Sequence, residues 1–215
     1  NTDGLVLYDI PEGSYSIRVS YQGGVFWTEP IQVSTNMDID FVIPHEYVDV
    51  TVQAVYQGVA TPWPDLSVYL YGENQTYYRG QVYQTDAQGK VTFVVPELAS
   101  KAKASCLGRT CWSDTFTWQD ISIDIPMAEA EVVVTSASQP VAGLTVYAYT
   151  AQQIWTNVSG TTDTEGKVRL RLPVGSYVFR ATYLGNTYWT DASTIMQDTV
   201  NQVALSTGGG SFQLN

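Results

Sequence analysis

Reactive side chains are sparse in this sequence, and their spacing narrows the chemistry at once. Both cysteines lie in "SCLGRTCWSD", residues 105–114, as Cys106 and Cys111 with Trp112 directly behind. A C-x-x-x-x-C spacing is not the C-x-x-C of a redox motif, and a zinc site would need two further ligands. The single histidine, His45, sits in "IPHEYVDV", so His-based acid–base and triad mechanisms rest on it alone, and its His-Glu pair is not followed by the second histidine of H-E-x-x-H. Asp38 with Asp40, and Glu129 with Glu131, are i, i+2 pairs that share one strand face, as a glycosidase or calcium site would need; a solvated strand face explains them equally. The glycines form no phosphate-binding loop. A non-catalytic chain without a cofactor or metal is the expectation.

The elements that carry these residues repeat. "DTEGKVRLRLPVGSYVFRATYLGNTYWT" at 163–190 aligns without a gap on "NTDGLVLYDIPEGSYSIRVSYQGGVFWT" at 1–28 and on "DAQGKVTFVVPELASKAKASCLGRTCWS" at 86–113. The shared frame is [DN]-x-x-G, an alternating run, a proline (Pro11, Pro96, Pro173), a second alternating run, and a tryptophan (Trp27, Trp112, Trp189). Between these, "VDVTVQAVYQGVATPWPDLSVYLYG" from 48 matches "EVVVTSASQPVAGLTVYAYT" from 131, and "DIDFVIP" from 38 matches "DISIDIP" from 120. Period-two patterning with turn residues at close intervals, and no helix-period stripe, predicts an all-β chain of tandem sandwiches with about seven strands each. The expected units are 1–45, the C-terminal part of one sandwich; 46–126 and 127–207, both complete; and 208–215, a Gly-rich joint leading into a further strand, "SFQLN". In each [DN]-x-x-G the carboxylate or amide closes an Asx-turn and the glycine takes positive φ, a reading preferred to calcium because no dense run of oxygen ligands surrounds it.

The 215 residues are 44% hydrophobic and 14% charged, with fifteen tyrosines and six tryptophans, a globular and strand-favouring composition. A formal net charge of −11 and the lack of a Lys/Arg cluster argue against nucleic acid as a partner. No apolar run has the length of a transmembrane helix.

The pattern "TDxxGxVxxxLPxGSYxFRAxYxG", most complete at 162–185, resembles the carboxypeptidase-regulatory-like and Cna-B-type modules, transthyretin-like or Ig-like sandwiches found in tandem in prokaryotic surface and secreted proteins. The resemblance implies an extracellular or cell-surface stalk, spacer, adhesin or filament segment, or a carbohydrate-binding module beside a secreted enzyme. Some Cna-B-type modules carry a Lys–Asn isopeptide bond with the lysine in the first strand. Here "VDVTVQAVY" and "EVVVTSA" contain no lysine, so that bond is not carried over.

Within this frame Cys106 and Cys111 replace Tyr183 and Tyr188 of the last repeat. Placed across a four-residue turn they would face one another, and the preceding strand has Ser100, Ala102 and Ala104 where the last repeat has Tyr177, Phe179 and Ala181. A structural disulfide replacing lost aromatic volume is expected, with two free buried thiols or a metal as the alternatives. In "SVYLY" and "TVYAY", Tyr69, Tyr71, Tyr147 and Tyr149 alternate with aliphatic residues; if the aliphatic set points inward, a tyrosine ladder stands outside, suited to a protein neighbour or a polysaccharide. Trp63 and Trp155, in loop-like contexts, are further contact candidates, whereas the recurrence of Trp27, Trp112 and Trp189 reads as a core position. The expected partners are neighbouring repeats or copies of the chain itself, with strand donation by "SFQLN" as one route and polysaccharide as another.

Overall fold

The computed structural model describes residues 4–208. Asn1 of the first [DN]-x-x-G and the strand-like "SFQLN" lie outside them. Every regular element is a strand, in chain order β1 (Gly13–Tyr15), β2 (Arg18–Tyr21), β3 (Gly24–Trp27), β4 (Ile31–Val33), β5 (His45–Tyr56), β6 (Val59–Pro62), β7 (Ser67–Gly72), β8 (Tyr78–Gln84), β9 (Lys90–Pro96), β10 (Ser100–Cys106), β11 (Arg109–Trp112), β12 (Ile121–Ser136), β13 (Gln139–Pro140), β14 (Thr145–Thr150), β15 (Trp155–Thr161), β16 (Lys167–Pro173), β17 (Gly175–Tyr183), β18 (Asn186–Trp189), β19 (Ser193–Ile195) and β20 (Asn201–Ser206). The chain is all-β.

Two hydrophobic cores follow from the alternation. In the first, Val48, Val50 and Val52 of β5, Val68 and Leu70 of β7, Phe93 and Val95 of β9, and Ile123 and Ile125 of β12 are buried together. In the second, the same roles fall to Ala130, Val132 and Val134 of β12, Val146 and Ala148 of β14, Leu170 and Leu172 of β16, and Val203 and Leu205 of β20. The outer sheets run β11-β10-β7-β8 over the first core and β15-β14-β17-β18, with β19 on β17, over the second.

The inner sheets are one sheet. β12 is 16 residues long; its first half pairs in parallel with β5 (Ile121 opposite Val50 to Pro126 opposite Val55), and its second half pairs antiparallel with β16 and parallel with β20 (Ala130 opposite Asn201 to Thr135 opposite Ser206). A seven-stranded sheet therefore serves both cores. Residues 39–44, aligned with the paired stretch 121–126, form no ladder among the described residues.

The turns behave as their residues demand. Asp86 Oδ1 accepts from the backbone N–H of Gln88 and Lys90, and Asp163 Oδ1 from Glu165 and Lys167, while Gly89 and Gly166 both sit at φ 72°. A Cβ at Gly166 would also run into the Val134 carbonyl.

The expected loss of aromatic volume in the first core does not occur. Ser100 lies opposite Phe116, which is fully buried, whereas in the second core the aligned pair is Tyr177 opposite Ser193. Large and small have exchanged strands across the same contact. Trp118 adds to this, packing on the first core with its indole N–H on the Val95 carbonyl at 2.9 Å, much as the Tyr177 hydroxyl donates to the Pro173 carbonyl at 2.7 Å. The exchange predicts a coupled double-mutant cycle in urea denaturation. Phe116→Ser alone removes a buried ring at a cost above about 3 kcal/mol, and Ser100→Tyr alone overpacks by about 1–3 kcal/mol. Together they should cost at least about 1 kcal/mol less than the sum; additive costs would show that the two positions do not share one volume.

Candidate functional site

Alternation puts Val68, Leu70, Val146 and Ala148 inward and leaves Tyr69, Tyr71, Tyr147 and Tyr149 half-buried on the outer sheet faces. The register of the hairpins completes each tyrosine pair. Lys103, in β10 opposite Tyr69, places its ammonium 5.7 Å from the ring centroids of Tyr69 and Tyr71 and 6.0 Å from that of Trp112. Arg180, aligned with Lys103 and opposite Tyr147, stands 5.1 Å from Tyr147, 5.4 Å from Tyr149 and 5.8 Å from Trp189. Arg18 lies opposite Trp27 in the β2–β3 hairpin. Lys103 and Arg180 are each held by ring faces whose quadrupoles favour the cation.

These positions correct the reading of the recurrent tryptophans as core. Trp27 is 62% and Trp189 42% exposed, and Trp112 is half-buried against Tyr71 on the outer face. The rings do not make a flat platform: Tyr71 meets Tyr78 at 47° and Trp112 at 77°, and Tyr149 meets Trp189 at 58°. Trp63 is half-buried against the first core, its backbone N–H on the Val52 carbonyl and its own carbonyl accepting from the Thr85 hydroxyl. Trp155 opens β15 opposite Tyr149 and is exposed.

The cysteines are thiols, not a disulfide, with their Sγ atoms 3.4 Å apart. The hairpin turns at Leu107–Gly108, both at positive φ, so Cys106 is opposite Arg109 and Cys111 opposite Ala104. The pair is diagonal rather than directly opposed, which holds the sulfurs in hydrogen-bonding and not bonding contact. The two thiols share one hydrogen bond, in which either sulfur can donate. That hydrogen bond, aided by the nearby Arg109 charge and opposed by burial, draws the Cys111 thiol down to about 7, while the same bond and burial push Cys106 up.

Elsewhere the candidate groups are engaged structurally. Arg169 bridges Glu129 at 3.6 Å and Glu131 at 3.0 Å, and Gln202 donates to Glu131. Asp38 and Asp40 are exposed and outside any strand. His45 opens β5, with Nδ1 2.8 Å from the Ile43 carbonyl and its ring edge-on to Tyr21. Among the described residues no three His, Cys, Asp or Glu side chains are grouped to hold a metal ion, and no helix is long and apolar enough to cross a membrane.

Contacts also run between the elements of the two cores. The Arg171 guanidinium of β16 lies 4.0 Å from the Tyr56 ring at the end of β5, beside a cleft lined by Met127, Glu129, Arg169 and Met196. Arg109, at the β10–β11 turn, packs on Gly175 at the start of β17. Arg79, nearly buried in β8, donates to the carbonyls of Ala99 at 3.0 Å and of Gln22, tying down the β2–β3 hairpin; burial lowers its pKa.

No family model and no curated protein matches this chain. Among solved structures it is similar to a minor pilin of Streptococcus agalactiae, at 16% identity and a TM-score of 0.48 over 79% of this chain and 98% of that one. The shaft pilin of Lactobacillus rhamnosus GG aligns at 12% identity and a TM-score of 0.32, over 80% of this chain and 100% of that one. A streptococcal ancillary pilin aligns at 14% and 0.32, over 92% and 76%.

The thiol geometry predicts a pH profile. Only the thiolate alkylates, so the iodoacetamide rate at Cys111 should rise with pH through an inflection near 7. Cys106→Ala removes the hydrogen bond between the thiols and should move the inflection up toward the ordinary thiol value of about 8.5, read by peptide mapping. An unchanged inflection would show that the Cys106 hydrogen bond does not set it.

Proposed function

We propose that the chain is a load-bearing segment of a tandem array of carboxypeptidase-regulatory-like or Cna-B-type sandwiches, with 46–126 and 127–207 as complete units and 1–45 as part of another. It works without catalysis in an extracellular or cell-surface stalk, adhesin or filament protein. The observation that carries this reading is β12. One uninterrupted strand leaves the first core and enters the second, hydrogen-bonded along both halves, where a flexible linker would have let the units swing.

The pairing also suits tension. The unit around the second core begins with the C-terminal half of β12 and ends with β20, and these strands are parallel neighbours over six residue pairs from Ala130–Asn201 to Thr135–Ser206. Around the first core, β5 and the N-terminal half of β12 repeat the arrangement from Val50–Ile121 to Val55–Pro126. Pulling the chain draws the first and last strands of a unit in opposite directions along their length. All the slanted hydrogen bonds of the ladder are then loaded together instead of being opened one at a time. The Arg171–Tyr56 contact and the Arg109 seat on Gly175 resist bending at the junction.

Pilin-like partners, other subunits or further repeats, fit this reading better than a glycan, because the outer aromatic rings are steeply inclined to one another and each set already encloses a cation. Single-molecule stretching of the chain checks the proposal. Two discrete force peaks are expected, each followed by release of about 80 residues, or about 28 nm at about 3.5 Å per residue. Gradual extension without peaks would refute a load-bearing role.

A further inference from the structure

The turn between β7 and β8 carries a motif that the load-bearing role leaves unused. It is Asn74-Gln75-Thr76, an N-x-[ST] sequence, and a second, Asn157-Val158-Ser159, lies in β15. The fold treats the two differently. Tyr78 lies opposite Tyr71 and Trp155 opposite Tyr149, so Asn157 corresponds to Gly80, and the two share a left-handed backbone at φ 61° and 78°. Ser159 is paired with Tyr147 in the ladder to β14. Val158 donates its N–H to the hydroxyl of Thr156, which is itself fully buried and bound to the Ala148 carbonyl. At 157 an asparagine answers a backbone demand that few residues meet, in a strand committed to its neighbour.

Asn74 stands outside any strand. The chain crosses from Tyr71 to Tyr78 through 72–77, exposed from Glu73 onward, whereas the aligned crossing from Tyr149 to Trp155 is 150–154, one residue shorter. Gln75 and Gln153 hold the same place, at φ 64° and 61°, with their N–H groups on the Gly72 and Thr150 carbonyls. Ile154 follows Gln153 directly; the residue added after Gln75 is Thr76, and it completes the motif. Asn74 Oδ1 accepts the Thr76 N–H at 3.1 Å, which fixes the carboxamide. Its Nδ2 and the Thr76 hydroxyl have no hydrogen-bond partner among the described residues.

Closing the turn accounts for the amide oxygen alone. The chain makes the same i to i+2 bond with carboxylates, Asp86 to Gln88 and Asp163 to Glu165, so neither an amide nitrogen nor a hydroxyl two residues on is needed for it. The two groups left over are the two that N-glycosylation requires.

We propose that Asn74 is an N-glycosylation acceptor in the folded chain and that the fold withholds Asn157. The donor class is a polyprenyl-diphosphate-linked glycan, used by an oligosaccharyl transferase. Asn74 Nδ2 bonds to the anomeric carbon, the bond from that carbon to the diphosphate oxygen breaks with its electron pair leaving on the diphosphate, and one amide proton passes to a base of the transferase. Nothing is oxidised or reduced. The site goes beyond the load-bearing reading and draws only on its extracellular part. A glycan there stands beside Tyr77 and Tyr78, 47% and 40% exposed, and adds a hydrated cover at the end of the outer sheet.

The folded full chain, incubated with a polyprenyl-diphosphate glycan and a purified transferase chosen because it glycosylates short peptides spanning either motif, and then mapped by mass spectrometry, tests this. Glycan is expected on Asn74, with occupancy of Asn157 at least about tenfold lower. Thr76→Val keeps the backbone N–H on Asn74 and the shape of the side chain; it should cut Asn74 occupancy at least about tenfold and leave the urea midpoint where it was. A folded chain left bare at Asn74, Asn157 modified as readily as Asn74, or undiminished occupancy in Thr76→Val would each overturn the proposal. None of these outcomes alters the two force peaks, so the load-bearing segment stands or falls separately.

Discussion

The structure depends on one strand having to satisfy two cores at once. β12 contributes Ile123 and Ile125 to the first and Ala130, Val132 and Val134 to the second. With a period of two, an odd number of residues between Ile125 and Ala130 would keep both on one face of the sheet; the four between them, 126–129, put them on opposite faces. The strand meets this at Pro126, Met127 and Ala128, where Met127 packs in the first core and Ala128 opens the second. Pro126 ends the parallel pairing with β5, and its carbonyl accepts from the Val174 N–H of the next core at 2.8 Å. A residue without its own N–H is tolerable where one ladder hands over to another. The two cores are thereby fixed in register with one another as well as joined.

Much of this was legible from alternation. The strand faces, the buried aliphatic set of β7 and β14, the outward tyrosines and the Asx-turns follow from short-range patterns that the structure repeats residue for residue. What alternation could not show was the pairing between strands. Ser100 and Phe116 are sixteen positions apart, and only the contact of β10 with the segment after β11 reveals that Phe116 supplies what Tyr177 supplies in the other core. A strand read alone looks depleted; read with its partner it is filled. The disulfide expectation drew part of its force from that apparent depletion.

Hairpin register decided the rest. A two-residue x-Gly turn with both φ values positive matches the right-handed twist of its flanking strands, and it sets the pairs Cys106–Arg109 and Tyr183–Asn186. A four-residue turn would have paired Cys106 with Cys111 instead. The same register places Trp189 opposite Arg180, a residue that alternation had already turned outward from Phe179 and Ala181. The glycine that signals this turn is visible at positions 23, 108 and 185. Recurrence of a tryptophan had suggested burial, yet a repeated outward role recurs just as faithfully as a repeated inward one.

That outward role bears on how such a chain meets its neighbours. A sandwich without helices exposes the outer faces of its sheets, and a face of unbroken aromatic rings would adhere to any similar surface. Here Lys103 and Arg180, both half-buried, stand among the rings, so that each aromatic set is interrupted by a charge. Stacking another chain on either set would strip water from the cation without supplying an opposite charge, a cost the cation–ring contacts only partly offset. With a net charge of −11 adding a general repulsion between copies, side-by-side association is disfavoured over the length of the sheets.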